Sequence, residues 1–128
     1  MFAQSIEAIL GDYCTPAVVR DIEAGGSGRT LWSAFADSGF LELLAPASAD
    51  GAELELSEFF DVLHVLGRYA PPVPLAQAFA ARAVVAPGTP LPSTMLTLAP
   101  ALVRANGNEL RCPRTPFGMI ADHVIGEA

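Results

Sequence analysis

The chain has 128 residues, of which 52% are apolar, and its 14 acidic residues against seven arginines and no lysine give a formal net charge of −7. This balance excludes a nucleic-acid-binding face, which needs an excess of positive charge. The length is typical of one domain, and no apolar run approaches the roughly 18 to 20 residues of a membrane span. The high mean hydropathy of +0.40 therefore indicates an apolar surface for a partner.

The amino terminus and the cysteines favour a cytoplasmic protein. The first ten residues have no basic region and contain Glu7, so they do not have the pattern of a secretory signal. Cys14 and Cys112 lie far apart without a second ligand at metal spacing, so we expect reduced, structural thiols and no metal site.

Apolar spacing predicts two helices in the first 24 residues. The second is predicted over residues 16 to 24, with Thr15 as N-cap, Pro16 at N1 and Gly25 after its end. The first has a single apolar stripe, made of Phe2, Ile6, Ile9, Leu10 and Tyr13.

A third helix is predicted to begin after Thr30 as its cap and to end at Gly39, where positive φ is needed. The apolar run from Phe40 to Pro46 follows, and we expect it to be an extended connection across the core. A polar, turn-rich stretch leads from it to the next helix.

The fourth helix is predicted to be capped by Ser57, and a fifth helix is predicted over residues 75 to 85. Pro71 and Pro72 force the chain to turn between them. The buried stripe of the fourth helix is predicted from spacings of three and four: Phe59, Val62, Leu63, Leu66 and Ala70. Its opposite, polar stripe is Ser57, Asp61, His64 and Arg68.

After residue 88 the pattern changes to short apolar runs separated by turns, which predicts strands. Asn106 and Gly107 lie between two runs and indicate a hairpin with a type I′ turn. The predicted fold is mainly α, with a five-helix bundle in residues 1–88 and a short, incomplete antiparallel β segment in residues 89–128. Another chain or a longer polypeptide would supply the missing strands.

Four candidate chemical motifs favour structural interpretations. The sequence AGGSGRT, residues 24 to 30, lacks the leading Gly of a phosphate-binding loop and is expected to connect two helices. His64 is expected to form a surface ion cluster with Asp61 and Arg68. His123 follows Asp122, and adjacent strand residues point to opposite faces, so a structural His is expected. The acids Glu53, Glu55 and Glu58 are expected to favour a helix dipole.

Taken in order, residues 30 to 86 resemble the amino-terminal helical domain of the acyl-CoA dehydrogenase family. The match comprises a helix with Leu-Trp and a final Gly, an apolar strand to a Pro, a Gly loop, a helix entered at Ser, a Leu-Gly-Arg ending and prolines. These pieces are Leu31, Trp32, Gly39, Leu41 to Pro46, Gly51, Ser57, Leu66, Gly67, Arg68, Pro72 and Pro74. Residues 1 to 29 match loosely.

The tail is similar to the opening of the middle β-domain of that family. The matching places are the strand with Leu98, Ala99 and Pro100, the hairpin at Asn106 and Gly107, and Ala121 with Asp122 before the next strand. The resemblance implies that Thr97, Leu98 and Ala99 hold the place of the flavin-contacting segment. At the matching positions, Ala99 replaces the acid of that segment. Leu98 replaces its Thr, unless the alignment shifts by one residue so that Thr97 takes that place.

The resemblance implies a flavoprotein oxidoreductase that oxidises acyl-CoA thioesters, of fatty acids or steroid side chains, at the α and β carbons. In the family a Glu removes the α proton and the hydride passes to FAD. That Glu lies in a carboxy-terminal domain outside this sequence, so no catalytic residue is assigned to this chain. We expect it to be inactive and to bind FAD poorly alone.

Three functions remain open from the sequence. The chain is part of an acyl-CoA dehydrogenase-like polypeptide that meets acyl-CoA in a complete assembly, or it is a non-catalytic partner subunit of a heteromeric dehydrogenase. The third alternative is a generic helical interaction module. The first two imply a homo-oligomer or hetero-oligomer.

Overall fold

The computed structural model describes residues 2–86 and 88–127, and the five predicted helices are confirmed within them. Their order along the chain also agrees with the prediction. The helices are α1 (Phe2–Tyr13), α2 (Pro16–Glu23), α3 (Arg29–Ser38), α4 (Leu56–Tyr69) and α5 (Leu75–Val84). In the described part of the chain, no helix combines the length and the apolar character needed to cross a bilayer.

Two predicted helix ends are confirmed by their local geometry. The hydroxyl of Thr15 accepts a hydrogen bond from the Val18 amide at 3.3 Å, and Pro16 opens α2. Gly39 follows α3 with φ of +81°, a conformation that only glycine adopts at little cost. These ends depend on neighbouring residues alone, which explains why the sequence predicts them.

Two predicted caps are wrong. Gly28, not Thr30, precedes α3. Gly28 lies against Val73 at the end of the glycine turn, and the helix begins at the next residue. Glu55, not Ser57, precedes α4. The Leu54 amide still donates to the Leu43 carbonyl at 2.8 Å, and the chain enters the helix directly after this contact.

The connection predicted to be extended, residues 40 to 46, is also wrong, and so is the strand that the resemblance implied there. Phe40–Glu42 is a 3-10 turn that buries Leu41 and, just beyond it, Leu43. The positive φ of Gly39 reverses the chain before the turn, so both leucines enter the core within a short span. A second 3-10 turn, Ala47–Ala49, follows.

The buried face of α4 is confirmed at Phe59, Val62 and Leu66 but not at Leu63, which is 40% exposed. Val65 is buried instead. Helix α4 packs against α1, and this contact sets a rotation about the helix axis that the spacing alone does not determine. Ala70, predicted to be core, is exposed and ends the helix in the left-handed region with φ of +45°.

The strands are β1 (Leu96–Leu98), β2 (Val103–Arg104), β3 (Leu110–Arg111) and β4 (His123–Ile125). Strands β2 and β3 pair antiparallel, so the predicted hairpin is confirmed. Its turn differs from type I′, because the Ala105 amide donates to the Glu109 carbonyl across three residues and only Gly107 among them has positive φ.

The expectation of a purely antiparallel segment is wrong, because β1 pairs with β4 in parallel. A parallel pair requires a long crossover between the strands, and the hairpin together with residues 112 to 122 forms it. The Asp122 carboxylate accepts a hydrogen bond from the Met95 amide at 3.1 Å, and the Asp122 amide donates to the Met95 carbonyl at 2.8 Å. These bonds align β4 with β1.

The helices and β1 share one core. Met95 belongs to the same buried cluster as residues of all five helices. The indole N–H of Trp32 donates to the Ser93 carbonyl at 2.8 Å, and the Arg29 guanidinium contacts the Asp122 carboxylate at 3.0 Å. The domain boundary predicted near residue 88 stays a prediction. Residue 87, next to that boundary, lies outside the described residues.

Candidate binding site

The break between α4 and α5 brings three separate segments together. The Ala70 amide still donates to the Leu66 carbonyl at 2.9 Å, and the left-handed Ala70 then directs the chain into Pro71. Val73 is buried and holds the return segment against the core. Pro71 and Pro72 are half-buried, and the helix cannot continue through them.

An open groove of about 1030 Å³ lies beside this break. One wall is the end of α2, the second is the break, and the third is the loop between β3 and β4. Its volume is at the upper end of small-molecule sites, roughly 300 to 1,000 Å³. The lining residues are mainly apolar: Ile22, Glu23, Gly25, Ala70, Pro71, Pro72, Cys112, Arg114, Thr115, Phe117, Gly118, Met119, Ile120 and Val124.

The loop wall has a specific backbone shape. Arg114 and Phe117 have φ of +55° and +58°, which costs a non-glycine residue on the order of 1 to 2 kcal/mol. The Thr115 hydroxyl donates to the Cys112 carbonyl at 2.8 Å. The Ala121 amide donates to the Phe117 carbonyl at 3.0 Å. These bonds hold the loop in place and turn Met119 outward, where it is fully exposed.

Thr97, one of the three predicted flavin-contacting residues, supports this loop from beneath. Its side chain is fully buried, and its hydroxyl donates to the Pro116 carbonyl at 2.7 Å. The hydroxyl of Thr97 therefore connects β1 to the groove wall. A bound flavin would have to compete with the Pro116 carbonyl for the hydroxyl proton of Thr97.

Leu98 and Ala99 follow Thr97 on the same strand, and both are half-buried. The Ala99 amide donates to the Ile125 carbonyl at 2.7 Å. Leu98 and Ala99 have no polar side-chain atom. Because the hydroxyl of Thr97 and the amide of Ala99 are already bonded, the described residues of this segment do not fit a flavin, whose ring edge needs hydrogen-bond partners.

The groove can bind apolar groups, and few of its described lining residues are ionisable. Among the described lining residues, the side chains with ionisable groups are Glu23, Cys112 and Arg114. No histidine lies beside the cysteine in this lining, and general acid-base catalysis needs a proton donor or acceptor within hydrogen-bond reach of the reacting atom. The arrangement is suited to binding.

The predicted structural interpretation of His123 agrees with its contacts. Its Nδ1 lies 3.0 Å from the Thr94 hydroxyl, whereas Asp122 contacts Arg29 and the Met95 amide. The neighbours have separate partners and do not form a catalytic pair. The sequence AGGSGRT, which partly resembles a phosphate-binding loop, connects α2 to α3 as predicted, and its Arg29 is the first residue of α3.

The predicted ion cluster around His64 is wrong. Arg68 contacts the Glu7 carboxylate of α1 at 3.1 Å, and the described ion pairs do not include His64 or Asp61. Helix α1 packs on α4. This packing places Glu7 within ion-pair distance of Arg68, although Asp61 is nearer to Arg68 in the sequence. Of the predicted acids, Glu55 precedes α4 and Glu58 is in its first turn, the end that favours negative charge.

Both cysteines are free thiols, as predicted. The Cys14 thiol is buried and donates to the Tyr69 carbonyl at 3.7 Å, and burial raises the pKa of this thiol. Cys112 lines the groove and is half-buried. In the part of the chain that the structure describes, no cluster of three or more metal-binding side chains occurs.

The sequence did not indicate the loop residues of the groove, nor the ion pair between buried Arg82 and half-exposed Glu42. Arg82 is 5% exposed, and its Nε donates to Glu42 at 2.7 Å while Nη1 donates to the Ala78 carbonyl at 3.1 Å. The partners are 40 residues apart, so no local spacing indicates them. The double proline does indicate a break, although not which loop faces it.

No family model, no curated protein and no solved structure matches this chain.

Proposed function

We propose that this chain is the amino-terminal part of an acyl-CoA dehydrogenase-like flavoenzyme, inactive alone, and that its groove receives the acyl group. The observation that carries the proposal is the apolar groove of about 1030 Å³ between the helix break and the β segment. The resemblance implies that the two helices joined by the proline break wall the acyl and flavin pocket. The order of four helices, a proline break, a fifth helix and a strand also supports it.

The groove residues would bind the acyl chain through apolar contact. Ile22 and Pro71 form one side, and Phe117 and Ile120 form the other. Burial of each methylene group contributes roughly 0.8 kcal/mol, so a medium-length acyl chain gains enough to bind measurably. The base that removes the α proton, and the flavin site, would come from residues outside this chain.

A second candidate function is a non-catalytic partner subunit of a heteromeric dehydrogenase. Two observations favour it. The Thr97 hydroxyl is bonded to the Pro116 carbonyl, and Ala99 replaces the acid of the family's flavin-contacting segment. In this function the chain would complete an acyl pocket whose flavin is held by the other subunit.

Calorimetric titration with dodecanoyl-CoA and with free CoA tests the groove. The acyl thioester should bind and free CoA should bind much more weakly, because the affinity comes from apolar contact. Met119→Glu should abolish binding, since it adds a charge at the rim of the groove at a fully exposed position. Val84→Glu is the matched control, because Val84 is 73% exposed and does not line the groove.

Equal binding of CoA and its thioester, or binding that Met119→Glu leaves unchanged, would contradict an acyl site here. Co-expression with a longer acyl-CoA dehydrogenase chain separates the two functions. A stable complex that absorbs at about 450 nm, the flavin band, supports the partner subunit. A reading frame that continues past residue 128 into a β-domain and a second helical domain supports the first function.

A further inference from the structure

A second open pocket, of about 510 Å³, lies where α1, α2 and α4 meet. It is separate from the groove beside the proline break, because the described linings of the two have no residue in common. Its volume is within the range of small-molecule sites, roughly 300 to 1,000 Å³. The lining comes from the end of α1, the first half of α2 and the end of α4: Gly11, Cys14, Thr15, Pro16, Val19, Arg20, Arg68 and Tyr69.

Local contacts hold the walls of this pocket together and keep it open. The Cys14 thiol donates to the Tyr69 carbonyl at 3.7 Å, which joins the end of α1 to the end of α4. The Thr15 hydroxyl accepts from the Val18 amide and fixes the start of α2. Gly11 leaves space on the α1 side, because a Cβ there would meet only the Tyr69 hydroxyl, at 3.9 Å. The pocket is therefore formed before any ligand enters.

The charged side chains of the described lining are both positive. They are Arg20 of α2 and Arg68 of α4, and this lining contains no acid. Arg68 contacts the Glu7 carboxylate at 3.1 Å, whereas the described ion pairs do not include Arg20. With Glu7 counted, two positive charges meet one negative charge, so one positive charge stays unbalanced.

The acids nearest to Arg20 in the sequence face other parts of the molecule. The Asp21 carboxylate lies beside Gly26, in the glycine turn after α2. Glu23 lines the groove beside the proline break. Side chains on a helix lean toward its amino terminus, which directs Arg20 toward Pro16 and away from Glu23.

We propose that this pocket binds a small carboxylic acid with an apolar body. The carboxylate accepts two parallel hydrogen bonds from the planar guanidinium of Arg20. It also accepts from the Thr15 hydroxyl, whose own proton is not used in the described hydrogen bonds. The apolar body lies on Pro16, Val19 and the ring of Tyr69.

The charge count favours a carboxylate over a phosphate. A carboxylate has one negative charge and balances the single unpaired Arg20. A phosphate monoester carries roughly −1.5 to −2 near neutral pH, and it would add an excess of negative charge to a chain whose formal net charge is already −7. A neutral molecule would leave Arg20 without a counter-charge.

An NMR titration of the full chain with cinnamate tests this site, and cinnamamide is the neutral molecule of the same shape. We expect cinnamate to shift the amide signals of Val19, Arg20 and Tyr69. Cinnamamide should bind roughly tenfold more weakly or worse, because it cannot form the charge-assisted bonds to the guanidinium. High salt should weaken the binding of cinnamate.

Arg20→Gln tests the charge, and it should weaken cinnamate binding roughly tenfold or more. Arg104→Gln is the matched control, because Arg104 is also exposed, does not line the pocket and changes the net charge equally. Gly11→Leu tests the space: its side chain should fill the pocket and abolish binding, since a Cβ fits there. Circular dichroism should show all three variants folded.

Met119→Glu separates this site from the groove beside the proline break, since Met119 lines that groove alone. This variant should leave the cinnamate shifts of Val19 and Arg20 unchanged. Shifts confined to residues 112 to 121 and lost in Met119→Glu would place cinnamate in the groove and overturn the proposal.

Three other results would also overturn it. The first is equal binding of cinnamate and cinnamamide, or equal losses in Arg20→Gln and Arg104→Gln, because the Arg20 charge would then have no part in binding. The second is binding that Gly11→Leu leaves intact. The third is tighter binding of phenyl phosphate than of cinnamate, which would mean that the class of ligand is wrong.

Discussion

The helical region, residues 2 to 84, and the β region, residues 96 to 125, use their apolar residues differently. Nearly all of the buried core comes from the helical region, and Met95, Leu96 and Thr97 are the buried residues at and just before β1. Strands β2 and β3 are exposed throughout, and Val103 and Leu110 are about half exposed. The comparison indicates that the helices stabilise themselves, whereas the β region depends on the helices through β1.

The largest effect should come from the centre of the helical region. Phe79 of α5 is fully buried, and its ring meets that of Phe59 edge to face at 5.1 Å. Phe79→Ala should lower the free energy of unfolding by roughly 3 to 5 kcal/mol, as measured by urea denaturation. Phe60→Ala is the control, because Phe60 is exposed. Similar losses for both variants would show that α4 or α5 is rotated from the arrangement described.

Gly51 offers a sharper test of the backbone within the same region. A Cβ at this position would overlap the Ala45 carbonyl group, so Gly51→Ala should destabilise the fold by roughly 1 to 3 kcal/mol. At Gly67 the space is open, and Gly67→Ala should stabilise α4 by roughly 0.5 to 1 kcal/mol. The two glycine substitutions are chemically identical, and thermal unfolding should show opposite signs. Equal signs would contradict the close approach at Gly51.

The link between the regions is tested at Thr97. Thr97→Val keeps the shape of the side chain but leaves the Pro116 carbonyl without its donor, which should cost roughly 1 to 3 kcal/mol. Thr97→Ser retains the hydroxyl and should keep the loop ordered. Hydrogen exchange should show faster exchange in residues 112 to 121 for the Val variant alone. Uniform protection in both variants would mean that Thr97 does not hold the groove wall.

Local physics explains how much of this fold the sequence predicts. Helix spans follow from apolar spacing, and Thr15 and Gly39 act on adjacent residues, so these features are recognisable in the sequence. The rotation of α4 that exposes Leu63 and the 3-10 turn at Phe40–Glu42 depend on packing against other elements. The alternative rotations of a helix and the alternative conformations of a short connection differ little in local energy, so the spacing of apolar residues does not determine them.

The candidate site was less predictable for the same reason. Its walls come from α2, the proline break and the loop after β3, which are distant in sequence and meet only after β1 and β4 pair in parallel. The sequence singled out Pro71 and Thr97, and both occur in the structure at or beneath the groove. It did not indicate Phe117 or Met119, because their positions depend on the Thr97 bond to Pro116.

The smallest expected effect is a pH dependence that distinguishes the cysteines of the two regions. Burial raises the pKa of the Cys14 thiol, so the folded state holds this proton more tightly than the unfolded state, where a thiol ionises at about pH 8.5. The stability from the neutral thiol is therefore fully present below that pH and is lost as pH rises through the folded pKa. Urea denaturation of the wild type should show this decline.

Cys14→Ala should remove the part of the decline that comes from this thiol. Cys112→Ala is the matched control for the loss of a thiol in the β region. Iodoacetamide should likewise modify Cys112 before Cys14, because Cys14 is 3% exposed and alkylation requires an accessible thiolate. Faster modification of Cys14 would mean that the contact between α1 and the end of α4 opens readily, and that the helical region is less self-sufficient than its core indicates.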